Sequence, residues 1–426
     1  MKRSYGYMLL IRGFAALAMF ASQVIPARCL DVDQFGDFSY ITSLLTVLTF
    51  IVIWGTDRYS MKVFSLRNVN ASSGETPKFN VFGVYSVIII NTLLAGVFLY
   101  YYLPNHLGEG YSLPLLFLSV LALFGRSIAR VSSSITRGLG NVLISEFVFS
   151  FTRPLLFSFF VILYYFGFGK INYFEVLFLF ALAYISVFLI TSIKNTLKVG
   201  VIKNPKISQI PNIYKFSFFF FLVGVGMPLM TNINTIQLGN MMASEDVAMF
   251  SAAVKIVSVV ALGLVSANLL ISPKLSPLFY SGKLDEMHNL IRKNNAFVAS
   301  ITVLPIVLIA IFSEQVLTIY GDAYVEAAKL LRILVIGQAI NVFCGPALLV
   351  ATMTGLQKSA SLVVLAMALI NWFLCLLLIP KFGTEGAAYA SVLVGILLKI
   401  ALVIIIYRRT SLNVTMLNLL KKHYDN

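Results

Sequence analysis

The sequence predicts an all-α, polytopic membrane protein with about twelve transmembrane helices arranged as two six-helix bundles. Of its 426 residues, 59% are hydrophobic and only 12% are charged, whereas about 25% of a soluble domain is charged. Apolar stretches long enough to cross a bilayer recur along the chain, because about 20 helical residues span about 30 Å. Most of the Lys and Arg residues fall in alternate connections between these stretches.

The predicted spans share apolar cores and short connections, and their order gives the fold class. They run over 7–27, 36–57, 80–103, 112–134, 142–166, 173–194, 216–240, 249–272, 296–319, 330–353, 359–379 and 384–407. The longest polar connections are 58–79, 195–215 and 273–295, and none of them has room for a soluble domain.

The charge distribution predicts the orientation. The net charge is +15, which in a soluble protein would suggest nucleic acid. Here the cations lie between apolar runs, so the positive-inside rule explains them and we expect no nucleic-acid partner. Both termini are predicted to be cytoplasmic. Lys2 and Arg3 before an apolar run resemble a signal peptide, but Arg12 interrupts that run, so we predict an uncleaved first helix.

Two similar motifs suggest that the chain is doubled. In 33–39 and again in 244–251, an acidic turn followed by Phe-Ser enters a predicted span, and the two spans lie six apart. Repeats with the same orientation imply two bundles about an axis along the membrane normal. We therefore predict an N-terminal six-helix bundle over 1–205 and a C-terminal bundle over 206–426.

Several cations lie inside predicted spans, where an ionisable group faces a cavity or a partner because its burial in lipid is costly. They are Arg12, Arg153, Lys255 and Lys399, and Arg126 extends this basic lining. The excess of cations over acids predicts an interior that prefers an anion. Guanidinium groups suit phosphate oxygens. For Arg12 and Lys255, snorkelling to a headgroup is an equally simple explanation.

Other charges near the span ends have structural alternatives. Glu146 lies seven residues before Arg153, so a regular α-helix would place both on one face, where internal charge pairing could explain them. With Arg126 and Arg130, Arg58 could form a cytoplasmic entry for a phosphate or a gate. Simple positive-inside anchoring also accounts for Arg58 and Arg130.

The seventh span contains Gly224, Gly226 and Pro228. Pro removes a helix hydrogen bond and Gly weakens the turn, so a bend or break is expected there. It is either a hinge for gating or a static kink, since both residues are ordinary in membrane helices.

The sequence does not indicate an enzyme. It has no Walker loop, no clusters of Asp, Glu and His for metal-assisted transfer, and no long outer loop for a glycosyltransferase or polymerase site. We therefore expect no cofactor and no metal.

Four motifs together carry a resemblance to a known family. They are Asp-Gln-Phe-Gly-Asp-Phe-Ser-Tyr at 33–40, Gly-Thr-Asp-Arg at 55–58, Gly-Asp-Ala-Tyr at 321–324 and Phe-Gly-Thr-Glu-Gly-Ala-Ala-Tyr-Ala at 382–390. In order and spacing, the chain resembles the polysaccharide flippases of the multidrug/oligosaccharidyl-lipid/polysaccharide (MOP) superfamily. The Wzx-type O-antigen flippases are most similar in length and number of spans.

This resemblance implies a cationic cavity and movement of an undecaprenyl-diphosphate-linked oligosaccharide from the inner to the outer leaflet of a bacterial inner membrane by alternating access. It places the family's first-helix arginine at Arg12, and it implies other polysaccharide-assembly membrane proteins as partners. Coupling to an ion gradient would fall to Glu146 or Asp57. The alternatives are a cation-coupled multidrug exporter of the same superfamily and, with less support, a polysaccharide polymerase.

Overall fold

The computed structural model describes residues 2–70, 81–107, 112–199 and 210–419, and every regular element in these ranges is a helix. The first part comprises α1 (Lys2–Cys29), α2 (Val32–Ile53), α3 (Thr56–Asn70), α4 (Val81–Leu107), α5 (Leu113–Gly138), α6 (Val142–Glu146), a π-helix (Phe147–Thr152), α7 (Arg153–Phe168), α8 (Tyr173–Val199) and α9 (Ile210–Met241). The remainder comprises α10 (Ser244–Tyr280), α11 (Leu284–Ile311), α12 (Ser313–Leu317), α13 (Ala328–Phe343), α14 (Ala347–Met353) and α15 (Gln357–Thr410), with 3₁₀ turns at Asp322–Ala327 and Met416–Leu419.

The helices account for the predicted membrane spans. Ten helical segments among the described residues are long and apolar enough to cross a bilayer, and Phe14–Cys29 is a shorter apolar helix. The segment Gln357–Thr410 counts as one of the ten but contains two helices, because Gly383 has non-helical backbone angles (φ 57°, ψ −135°). With that division and α1 included, the described chain has twelve candidate spans, which confirms the predicted fold class.

The chain divides into two compact units, Met1–Pro228 and Leu229–Asn426. The division follows Pro228 inside α9. The boundary predicted at 205/206 lies outside the described residues. The assignment of one six-helix bundle to each side of it therefore stays a prediction.

In the first unit, α5 is the central helix and packs against α2, α3, α4 and most extensively α8. Small side chains allow this close approach. A Cβ on Gly125 would lie 3.1 Å from Ile185 Cγ1, and one on Gly138 would lie 2.8 Å from the Met61 carbonyl oxygen. Helix α5 is thereby fixed on two sides, which fixes the arginines it carries.

Helices α2 and α3 meet at a tight corner. Trp54 and Gly55 both have positive φ, at 48° and 73°. A Cβ on Gly55 would lie 2.4 Å from the Phe221 backbone nitrogen, so only glycine fits between this corner and α9. Asp57 follows directly in the first turn of α3. The sequence predicted a polar connection from residue 58, and it missed that the chain continues there as a helix.

In the second unit, α10 packs against α11 and α13, and α13 and α14 pack against α15. Two buried amides join α9 to α15: Asn371 Nδ2 donates to Asn234 Oδ1 at 2.5 Å, and Asn234 Nδ2 donates to the Ala387 carbonyl at 2.8 Å. Both motifs that suggested a repeat begin helices, since Asp33 lies in the first turn of α2 and Glu245 in that of α10. An acidic first turn stabilises a helix because it complements the helix dipole.

Candidate functional site

The first unit contains two guanidinium groups gathered around one tyrosine ring. The Cζ atoms of Arg126 on α5 and Arg153 on α7 lie 5.6 and 5.0 Å from the ring centre of Tyr184 on α8. Arg153 Nη1 also donates a hydrogen bond to the Tyr184 hydroxyl, and its Cζ lies 5.4 Å from the Phe149 ring centre. Tyr184 is only 1% exposed, whereas both arginines are partly accessible. We call Arg126, Arg153 and Tyr184 the arginine–tyrosine cluster.

Two local features of the chain position the cluster. The close packing of α5 on α8 brings Arg126 to Tyr184. The π-helix Phe147–Thr152 ends immediately before Arg153. Because π-helical hydrogen bonds run from i to i+5, this stretch holds an extra residue and rotates the residues that follow by about 100° relative to a continuous α-helix. The shared face predicted for Glu146 and Arg153 from regular α-helical spacing was therefore wrong.

The acids near the cluster are paired with other arginines. Arg130 Nε lies 3.2 Å from Asp57 Oδ2, and Arg137 Nη1 lies 3.5 Å from Glu146 Oε1. Within the described residues, neither Arg126 nor Arg153 forms an ion pair. Their charges are held against aromatic faces, which attract cations without neutralising them.

This arrangement can bind an anion. An aromatic ring orients a guanidinium by its face and leaves N–H donors at the edge of the group, and one phenol oxygen satisfies only one of the donors of Arg153. Carboxylates and phosphates match the geometry of a guanidinium by forming paired hydrogen bonds. The cluster thus offers the hydrogen-bond donors of two neighbouring guanidinium groups, which are held against the buried ring of Tyr184.

Of the predicted gate residues, Gly224 lies next to Arg58 in the first unit. A Cβ on Gly224 of α9 would lie 4.0 Å from Arg58 Cζ and 3.9 Å from Phe50 Cδ1. Helix α9 runs without interruption from Ile210 to Met241 through Gly226 and Pro228, so the chain is not broken there, and a bend stays a prediction. A gating role for these residues stays a prediction.

The remaining predicted cations lie elsewhere. Lys255 on α10 and Lys399 on α15 belong to the second unit, where both are partly buried. Arg12 lies on α1, and its side chain falls outside the described part of the chain. The structure therefore brings together Arg126 and Arg153 from the predicted set and leaves the roles of the other three untested.

Sequence reasoning missed Tyr184. Its signal was available only in part: Tyr184 lies near the middle of a predicted span, but tyrosines are common in membrane proteins and nothing in the linear sequence links it to two arginines on other helices.

The fold is similar to that of solved membrane transporters. A structure titled lipid II flippase MurJ, inward closed conformation, is 14% identical, covers 93% of this chain and 86% of that chain, and has a TM-score of 0.75. An inward-facing multidrug resistance MATE transporter of the MOP superfamily is 13% identical over 95% of this chain and 94% of that chain, with a TM-score of 0.67. A structure of a mutant of the Vibrio cholerae MATE transporter VcmN is 16% identical over 96% of this chain and 97% of that chain, with a TM-score of 0.62.

These likenesses define the class: the chain is a multi-pass membrane protein with the fold of MOP-superfamily transporters. Residues 1–278 match the sequence profile described as polysaccharide biosynthesis protein. The chain belongs to that polysaccharide biosynthesis family, so the polysaccharide family predicted from its motifs is confirmed. No curated protein sequence matches the chain significantly.

Proposed function

We propose that this protein is a Wzx-type flippase, not an enzyme, that moves an undecaprenyl-diphosphate-linked oligosaccharide from the inner to the outer leaflet of a bacterial inner membrane by alternating access. Both termini are cytoplasmic in this proposal. The observation that carries it is the arginine–tyrosine cluster, in which two guanidinium groups have no carboxylate partner among the described residues.

The chemistry of the substrate fits the cluster. A diphosphate carries its charge on several oxygens in a short span, so two neighbouring guanidinium forks can each take a pair of them. The oligosaccharide would occupy a polar cavity, and the prenyl chain would stay in lipid between helices. Arg12, Lys255 and Lys399 are proposed as further contacts for the phosphates or the first sugar.

The comparisons support this assignment at a coarser level. The family profile describes polysaccharide biosynthesis proteins, and MurJ is titled a flippase of lipid II. A lipid-linked substrate is the simplest one that satisfies both the family and an anion-selective site.

The decisive experiment reconstitutes the protein into liposomes with a fluorescently labelled prenyl-diphosphate sugar and measures its transfer between leaflets. We expect transfer by the natural sequence and little transfer by Arg153→Gln or Lys399→Gln. In cells, both variants should lack surface polysaccharide while remaining in the membrane. The double variant Arg408→Gln with Arg409→Gln is the matched control, because both arginines are exposed at the end of α15.

Two results would overturn the proposal. Transfer of the labelled lipid at the natural rate by both the Arg153 and Lys399 variants would remove the proposed site. Equal transfer of a neutral prenyl lipid would show that the diphosphate is not recognised.

A multidrug exporter is the second candidate, because MATE transporters share the fold. That function would need acids available to a cationic drug or coupling ion, whereas Asp57 and Glu146 are paired with arginines. Efflux of a cationic dye that depends on this protein and is lost in Asp57→Asn would favour the exporter over the flippase.

A further inference from the structure

The second unit has a cavity that shares no residue with the arginine–tyrosine cluster. It has a volume of about 520 Å³ and lies between the last turns of α10 and the first turns of α11. Its size falls within the roughly 300–1,000 Å³ that is usual for small-molecule sites. Lys274 and Pro277 of α10 and Asn289 and Lys293 of α11 are among the residues that line it.

The charge of the cavity is positive. Lys274 and Lys293 reach it from opposite walls, and both are exposed. The acid of the lining, Glu286, lies 2.7 Å from Lys283 Nζ, which offsets its charge locally. An anion placed between the two helices would therefore meet two lysines and a compensated carboxylate.

The depth of the cavity matches the headgroup layer of a bilayer. The apolar run of α10 ends at Ile271, so Lys274 lies about 5 Å beyond it at the rise of an α-helix. Lys293 lies three residues before the apolar run that begins at Ala296, or about 5 Å from it. The headgroup layer is about 5–8 Å thick on each side of the hydrocarbon core.

The cavity also has an apolar wall and a backbone acceptor. Leu278 and Leu290 line it and pack against the buried core formed around Leu275 and Ile291, so the walls are held in place. Pro277 has no N–H, so the helix hydrogen bond that would reach the carbonyl oxygen of Pro273 cannot form. A hydroxyl of a lipid headgroup could donate to that oxygen.

We propose that this cavity binds the headgroup of an anionic glycerophospholipid that carries a hydroxyl, such as phosphatidylglycerol, at one membrane surface. The phosphate lies between Lys274 and Lys293, the headgroup hydroxyl faces the carbonyl of Pro273, and the acyl chains follow the outer face of the apolar span. Under the proposed orientation this surface is cytoplasmic.

The test is lipid binding by the full-length protein in detergent, followed by native mass spectrometry with phosphatidylglycerol or phosphatidylethanolamine added at known concentrations. We expect tighter binding of phosphatidylglycerol and about a 30-fold loss in Lys274→Gln with Lys293→Gln, because each lysine contributes about 1 kcal/mol to binding of an anionic surface. Lys358→Gln with Arg409→Gln is the matched control, since it removes the same charge from exposed positions outside the cavity. Thermal unfolding of both double variants checks that they are folded.

Three outcomes would overturn the proposal. The first is unchanged phosphatidylglycerol binding in the folded cavity variant. The second is an equal loss in the control, which would indicate a general charge effect. The third is displacement of the lipid by millimolar inorganic phosphate or glycerol phosphate, which would make a soluble phosphate the ligand.

Discussion

The arginines of α5 are used in two different ways in the first unit. One group lies in the middle of the helix and the other toward its C-terminal end, which we call the lower end. At the lower end, Arg130 and Arg137 of α5 are joined to Asp57 and Glu146. One helical turn before Arg130, in the middle of α5, Arg126 lies over the ring of Tyr184 together with Arg153.

The difference lies in what each partner leaves available. A carboxylate takes both the charge and the hydrogen-bond donors of an arginine, so the pair becomes part of the scaffold. An aromatic face holds the cation in place and leaves its charge uncompensated. The partner, rather than the arginine itself, separates anchoring residues from candidate binding residues along α5.

The largest effect, on the rate of lipid transfer, is expected when the arginine–tyrosine cluster loses its positive charges. Arg126→Gln combined with Arg153→Gln should lower the initial rate of lipid transfer about 100-fold or more, because each hydrogen bond to a charged group contributes about 1.5–3 kcal/mol and 1.4 kcal/mol is tenfold. The rate in liposomes measures this effect. Arg408→Gln with Arg409→Gln should keep the natural rate, and an equal loss in that control would end the distinction between the regions.

A smaller effect, on stability, is expected at the lower end. Asp57 is 6% exposed, and Asp57→Asn would leave Arg130 without its carboxylate. Since the Arg130 side chain is 30% exposed, we expect a loss of about 2 kcal/mol in the free energy of unfolding, less than for a fully buried pair. Thermal unfolding of Asp57→Asn, Arg130→Gln and the double variant measures their coupling, and strictly additive losses would contradict the pairing.

The substitution Tyr184→Phe tests what the hydroxyl group of the arginine–tyrosine cluster contributes to transfer. The ring remains under both guanidinium groups, but Arg153 loses its acceptor, so we expect about a tenfold lower transfer rate, equal to about 1.4 kcal/mol. Tyr214→Phe is the control, because it removes a different hydroxyl, one that donates to Asn91 Oδ1 at 2.7 Å in the same unit. A natural rate in Tyr184→Phe would show that the ring alone orients Arg153.

The smallest effect on stability is expected for Glu146→Gln. The contact with Arg137 is 3.5 Å long and the Arg137 side chain is 33% exposed, so we expect a change below about 1 kcal/mol in thermal unfolding. If Glu146 couples transport to protons, the variant should transfer lipid at a rate that no longer responds to an imposed pH gradient. A persisting response would assign the coupling elsewhere, with Asp57 the next residue to examine.

The sequence was sufficient for the fold because its information is repeated along the chain. Each span is apolar over a membrane thickness, so errors of a few residues at span ends leave the count unchanged. Helix α3 was missed because its composition is that of a polar connection, and it is held by packing on α5 instead of by its own apolar face.

The candidate site could be predicted only in part. The excess of cations over acids in the predicted spans pointed to Arg126 and Arg153. That excess can be read directly from the amino-acid sequence. Their shared partner Tyr184 depends on how α5, α7 and α8 pack, and the pairing of Glu146 with Arg137 depends on how α6 packs against α5. Linear spacing contains neither piece of information.

Because Phe147–Thr152 forms a π-helix, the number of residues in this stretch matters for the site as much as their identity. Deleting one residue from this stretch would restore ordinary α-helical spacing and turn Arg153 away from Tyr184 by about 100°. Such a deletion removes no charged group, yet it would act on the site as a substitution of Arg153 does. Among homologues, a gap at this position would therefore mark a change in substrate recognition even where the arginine itself is retained.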